Sequence, residues 1–191
     1  MNNWNQLTQL IIDWQQGDSL AEKHLYQLCY LQLQTIAHNA LTKSKLKFGE
    51  NNTVLARAML DTHALVNEAY IKLALCQTLE LENRKQFFLL VAKITQQILI
   101  DHARAMQTDK RQSMKLTPEL ESYNIDHFLS AAKLLEVFEF HYPRQAKALQ
   151  LKYFSGLKLD EISVLMDCSK SLIQKDIHFS KAWLSASLTQ S

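Results

Sequence analysis

The stretch Pro143–Trp183, PRQAKALQLKYFSGLKLDEISVLMDCSKSLIQKDIHFSKAW, decides how the rest of the chain is read. It divides into three short helices, the last two joined by the turn Met166-Asp167-Cys168-Ser169. Gly156 closes the first helix, because it takes positive φ without a Cβ penalty. Asp160 and Glu161 stand in the opening turn of the second, where they complement the positive end of the helix dipole. Ile162, Leu165 and Met166 recur at helical spacing and make one buried face. Ser169 is the expected N-cap of the third helix. That helix buries Ile173, Ile177 and Leu184, flanked by Phe179 and Trp183, and leaves Lys170, Ser171, Gln174, Lys175 and His178 outside. Two helices on a short turn, the second presenting amides and bases at its N-terminal end, form a helix-turn-helix for the DNA major groove. An ordinary helical hairpin in a core has the same pattern.

Composition sets the frame around this unit. The chain has 191 residues, 47 % hydrophobic and 21 % charged, which suits one or two domains with cores of their own. Three glycines and two prolines leave long helices with few breaks, so an all-α fold is expected. Its apolar runs fall well short of the ~20 residues that a membrane span requires. Residues 1–12, MNNWNQLTQLII, lack the basic start and apolar core of a secretory signal, and a cytoplasmic protein without membrane insertion is expected. Cys29, Cys76 and Cys168 are scattered among apolar helical positions and read as reduced, buried thiols, not as a disulfide frame or zinc site. The seven histidines show no metal-ligand spacing and no pairing with a nucleophile. No catalytic residue, metal or cofactor is therefore expected, and the chain is not read as an enzyme.

Charge is unevenly spread. Residues 93–115 carry five bases against two acids, and residues 143–184 carry seven against four. Between them, 116–142 holds one base and five acids. Two basic segments around an acidic one suit a protein that touches a polyanion at two places. Few bases mean weak binding to DNA by the chain alone, so a partner must supply the rest.

Upstream, residues 5–40 form two amphipathic helices. Leu7, Leu10, Ile11 and Trp14 share a face of the first, Gly17-Asp18-Ser19 breaks it, and Asp18 or Ser19 caps the second, whose Leu25, Leu28, Leu31 and Ile36 keep helical spacing. Residues 43–52, KSKLKFGENN, read as a loop. The helix DTHALVNEAYIKLAL at 61–75 has a broad apolar face and an i,i+4 pair, Glu68 and Lys72. It either lies in the core or offers surface to a partner. The run FFLLVAKITQQILIDHARAMQTDKR at 87–111 is the longest helix, with Phe87, Val91, Ile94, Ile98 and Ala105 on its core face. Thr95, Gln96 and Gln97 form a polar stripe for nucleotides or for water, and Asp101 pairs with Arg104. Residues 112–126, with Pro118 and little periodicity, read as a linker, and a helix from about Asp126 to Phe140 follows.

The segments LVNEAYIKL at 65–73, FFLLVAKITQQILIDHARA at 87–105 and PRQAKALQLKYFSGLKLDEI at 143–162 resemble bacterial sigma factors of the extracytoplasmic-function (ECF) type. The resemblance runs in order from Leu7 to Leu184. It implies two small helical domains on a flexible linker: an N-terminal domain at 1–113, the linker at 114–126, and a C-terminal helix-turn-helix domain at 127–191. It also implies core RNA polymerase and promoter DNA as partners and admits an anti-sigma factor as a third. Leu65, Val66, Glu68, Tyr70 and Leu73 would bind core polymerase. Lys93, Gln96, Gln97, Arg104, Lys110 and Arg111 would read and open the minus-ten element. Ser169, Lys170, Ser171, Gln174, Lys175 and His178 would lie in the minus-thirty-five major groove. No chemical step is involved; binding of the separated, stacked strand offsets the cost of opening the duplex.

The chain departs from the family pattern at Gln96-Gln97, where an Arg pair is usual, and in the last helix, where Ser171, Leu172, Gln174 and His178 replace most bases. Asp167 replaces the turn glycine, which an aspartate tolerates better than most residues. Two other functions stand beside this one, the first supported by the thinned basic surface and the second leaving the N-terminal resemblance without purpose. One is a sigma-like interaction protein that binds polymerase or a regulator but initiates poorly, and the other is a stand-alone helix-turn-helix repressor.

Overall fold

The computed structural model describes residues 4–31, 34, 62–76, 79–112 and 119–189, which form helices and, among the described residues, no strand. Helix α1 is Trp4–Gln15, and α2 covers 19–31. Helix α3 is Thr62–Leu75 and α4 is Arg84–Gln112. They are followed by α5 (Glu119–His141), α6 (Pro143–Tyr153), α7 (Leu159–Met166) and α8 (Lys170–Thr189).

Helix ends follow from local chemistry. Gly17 turns the chain after α1 at φ 89°. The Asp18 carboxylate then accepts the backbone N–H groups of Leu20 at 2.7 Å and Ala21 at 3.3 Å, so Asp18 is the cap of α2. Asn83 caps α4 in the same way, its side-chain oxygen accepting the Gln86 N–H at 3.1 Å. Pro143 opens α6, where its missing N–H costs nothing, and Gly156 follows that helix at φ 69°.

Helix α4 is the hub. Between Phe87 and Ile100 only Lys93 and Gln97 are exposed, because α1, α3, α5, α6 and α7 all pack against it. Trp14 of α1 meets Phe87 edge-on at 6.3 Å, and Phe87 meets Phe88 at 5.7 Å. Each such buried aromatic contributes about 1.5–3 kcal/mol by leaving water. One apolar cluster runs from Leu7 to Ile177 and takes in residues from both ends of the chain. A polar contact lies inside it: the Ser155 hydroxyl, fully buried, donates to the Phe88 carbonyl at 2.7 Å.

Three expectations change. The helix leading into Pro143 begins at Glu119 rather than near Asp126, so 119–126 is helical; residues 113–118 lie outside the described set. Tertiary packing accounts for the earlier start, since Ile125 is buried against Ala103 of α4 and Gln107 Nε2 donates to Asp126 Oδ1 at 2.6 Å. Ala105 is exposed and Ala103 takes its place inside, because α5 covers this end of α4 from a different side. Leu31 is 56 % exposed although it keeps helical spacing with Leu25. The expected loop at 43–52, Ile36 and the cap candidate Asp61 lie outside the described residues.

Candidate polymerase and nucleic-acid interfaces

The two motifs VNEAY and DHAR face each other across the α3–α4 seam. His102 Nε2 lies 3.1 Å from Glu68 Oε2, and Lys72 Nζ bridges Glu68 at 3.4 Å and Asp101 at 3.5 Å. Asp101 also takes Arg104 at 3.7 Å and accepts from Gln97 Nε2 at 2.8 Å. On the other flank of α3, the Tyr70 hydroxyl donates to Glu22 of α2 at 2.6 Å, and the Tyr26 ring packs edge-on against Tyr70 at 4.7 Å. The hydrogen bond to the Glu22 carboxylate, more than burial, holds the Tyr70 phenol above its ordinary pKa.

These contacts sort the residues expected to bind core polymerase. Val66 and Leu73 are 1 % and 5 % exposed and belong to the core. Glu68 and Tyr70 are half-buried and held by the network just described. Leu65 has its backbone in α3, and its side chain lies outside the described residues. The large apolar side chains that α3 turns outward among the described residues are Ile71 at 59 % and Leu75 at 77 %, one helical turn apart. The sequence carried a trace of this in an apolar face too broad for one neighbour.

On α4, Lys93, Gln97, Asp101, Arg104 and Thr108 follow one another at 3–4 spacing and form a line of polar side chains reaching solvent, with Ala105 exposed beside it. Gln96, expected at the DNA, is 8 % exposed, and Thr95 is turned inward with its hydroxyl donating to the Val91 carbonyl at 2.8 Å. Consecutive helical residues point about 100° apart, so Thr95, Gln96 and Gln97 do not share a stripe. Only Gln97 of the three is exposed. Lys110 and Arg111 lie in the last turn of α4, and their side chains are outside the described residues. A cleft of about 400 Å³ opens between α4 and α5, and Arg104 and Lys133 share its walls with Asp126 and Glu136. Mixed charge makes it a poor trap for phosphate.

The α7–α8 turn is built by reciprocal bonds. Asp167 sits in the left-handed region at φ 51°, ψ 48°. The Cys168 N–H donates to the Ser163 carbonyl at 3.1 Å, and the Ser163 hydroxyl donates back to the Cys168 carbonyl at 2.7 Å. Ser169 then caps α8, its hydroxyl accepting the Leu172 N–H at 3.2 Å. Ser169, Lys170, Ser171, Gln174, Lys175 and His178 are all exposed. Ser171, Gln174, Lys175 and His178 form one ridge at helical spacing. Lys170 is held by Asp160 of α7 at 2.7 Å, and Lys181 lies over the Tyr153 ring at 5.1 Å.

One residue of this helix escaped the sequence reading. Asp176 is 4 % exposed, on the inward face with Ile173, Ile177 and Ser180. Its Oδ1 accepts from the Arg144 guanidinium of α6 at 2.9 Å, while Oδ2 is buried without a partner. That hydrogen bond pushes the Arg144 pKa higher still. The available signal was a charged residue in the apolar phase of a helix.

A family model of ECF sigma factors matches residues 4–190. The chain belongs to the ECF sigma factor family. Neither a curated protein nor a solved structure matches it significantly. ECF sigma factors act in transcription initiation and bind DNA and RNA polymerase. In this ECF sigma factor, no helix among the described residues is long and apolar enough to cross a membrane.

Proposed function

We propose that this ECF sigma factor binds core RNA polymerase in the cytoplasm and directs it to a set of promoters without catalysing a chemical step. The observation that carries the proposal is the presence, on the family scaffold, of two separate exposed polar ridges. These are Lys93–Gln97–Arg104 on α4 and Ser171–Gln174–Lys175–His178 on α8. The first would meet the minus-ten element, with Lys110 and Arg111 beyond it. The second would enter the minus-thirty-five major groove as part of a helix-turn-helix, with Ser169 and Lys170 at its start. Ile71 and Leu75 supply the apolar contact to polymerase beside Glu68 and Tyr70. The division into an N-terminal domain at 1–113 and a C-terminal domain at 127–191 belongs to the same proposal, the linker at 114–126 carrying the first turns of α5, as does an anti-sigma factor acting as a third partner.

A second function is favoured by one observation. Lys170, Lys72 and Arg104 are engaged by Asp160, Glu68 and Asp101, which reduces the free positive charge available to phosphate. A polymerase- or regulator-binding protein that initiates poorly would need no more. Run-off transcription separates the two, using purified core polymerase, the full chain and a pool of genomic DNA. Discrete new start sites are expected. Co-purification with polymerase and no transcript would replace the first function with the second.

A further inference from the structure

We infer that Asp176, acting through Arg144, is the positioning residue that fixes how α8 presents its reading ridge. The inference rests on the promoter-binding function proposed above. Asp176 stands between Lys175 and Ile177, so it shares a backbone turn with Gln174, Lys175 and His178, yet it is buried while they are exposed. A carboxylate at 4 % exposure is an expensive group to place in an apolar seam, and its position is dictated by whatever partner it has. That partner is one guanidinium on α6, 2.9 Å from Oδ1 and 32 residues away in the chain.

The rest of the seam leaves little slack. Oδ2 has no partner, so no second bond holds the carboxylate. One turn on, the Ser180 hydroxyl donates to the Asp176 carbonyl at 2.7 Å and approaches the Gln145 carbonyl of α6 at 3.3 Å. The contact with Gln145 ties α8 to the first turn of α6. Apolar side chains such as Ile173 and Ile177 allow a helix to slide or roll by small amounts. A buried carboxylate whose single charge-assisted bond sets its position does not. Reading a base edge requires a side chain placed to within a fraction of an ångström, whereas phosphate attraction does not. The pair therefore contributes to sequence discrimination more than to affinity for DNA in general.

The test uses holoenzyme assembled from core polymerase and full-length chain, with two labelled duplexes: the strongest start-site fragment from the run-off pool and a scrambled fragment of equal length. Asp176→Asn and Arg144→Gln are each expected to lower the ratio of specific to non-specific affinity about tenfold, the discrimination of one well-made base contact. The double variant should lose no more than either single one, since both remove the same ion pair. Polymerase affinity and the slope of non-specific binding against salt should stay unchanged. Arg144→Lys, which keeps the charge and shortens the reach of the donor, should fold normally and give an intermediate ratio. An unchanged ratio in folded Arg144→Lys and Asp176→Asn, additive losses in the double variant, or equal loss on both duplexes overturns the inference. If the unmodified holoenzyme shows no preference between the duplexes, it is the promoter-binding function that fails.

Discussion

Glu68 of α3 and His102 of α4 meet at 3.1 Å, side chain to side chain, across the seam that joins the two most recognisable motifs of the chain. Their neighbours Lys72, Asp101 and Arg104 extend the contact into a network on the surface of the N-terminal helices. Part of what makes these motifs recognisable is thus internal scaffolding. Glu68→Ala should cost about 0.5–1 kcal/mol, as partly exposed ion pairs do. Melting would shift by about 1–4 °C for a chain of this size. Ile71→Glu, at an exposed site, should leave melting unchanged and weaken polymerase binding at least tenfold, about 1.4 kcal/mol. Thermal melts and polymerase pull-down titrations on both variants would show whether scaffold and contact surface separate in this way.

Ser155 ties the loop after α6 to the backbone of α4. Ser155→Ala leaves the Phe88 carbonyl with its helical bond only, and a loss of about 1 kcal/mol is expected. Ser155→Val forces a larger apolar group into a filled site and should cost about 1–3 kcal/mol. Because one apolar cluster spans both ends of the chain, circular dichroism and tryptophan fluorescence should report the same single unfolding midpoint. Two separated midpoints would show that the ends unfold independently.

Asp167 occupies a backbone region that suits glycine. Asp167→Gly should be neutral within about 0.5 kcal/mol, the relief of left-handed strain being offset by the greater freedom of glycine in the unfolded chain. Asp167→Val should cost about 1–2 kcal/mol, because a branched side chain is crowded at positive φ. Urea midpoints of the three proteins should fall in that order. A Val variant as stable as the parent would mean the turn is not held in this conformation.

Cys29 carries a pH dependence. Burial pushes its thiol from 9.0 up to about 12. The folded state keeps the proton between these values while the unfolded state loses it, so stability is fully present below pH 9 and declines as pH rises toward 12. The slope contributed is about 1.4 kcal/mol per pH unit. Urea unfolding between pH 8 and about pH 11 should show this decline in the parent, and Cys29→Ala should show less of it. At neutral pH a thiol reagent should modify the partly exposed Cys76 and Cys168 well before Cys29.

Lys175 is exposed on the α8 ridge, with no ion pair among the described residues. Lys175→Ala should weaken promoter binding by holoenzyme and reduce the dependence on salt by about one phosphate contact. Association with core polymerase should be unaffected. Parallel loss of both would place Lys175 in the scaffold.

The parts of the fold legible in the sequence are those fixed by nearby residues. Asp18 as a cap, Gly156 and Asp167 at positive φ, Ser169 at the head of α8 and the outward set around Gln174 all follow from a few adjacent positions. What escaped depends on distant neighbours. Periodicity gives the phase of a helix but not how many helices surround it. Gln96 is buried because α4 is enclosed on almost every side, and Ile71 is exposed although its chemistry suits a core. The start of α5 at Glu119 was hidden for a related reason: Ile125 finds its apolar contact in Ala103, on another helix. Arg144 and Asp176 look like two ordinary surface charges until the fold brings them together.

The bond from Ser155 to Phe88 closes over 67 residues of chain. At about 5–20 residues per second of synthesis, Phe88 leaves the ribosome roughly 3–13 s before its partner does. During that interval α4 has emerged, but the helices that cover it from the C-terminal side have not. The nascent N-terminal helices therefore wait with an unsealed apolar flank. The last helices of the chain, whatever they read on DNA, also complete the protein's protection from aggregation during its own synthesis.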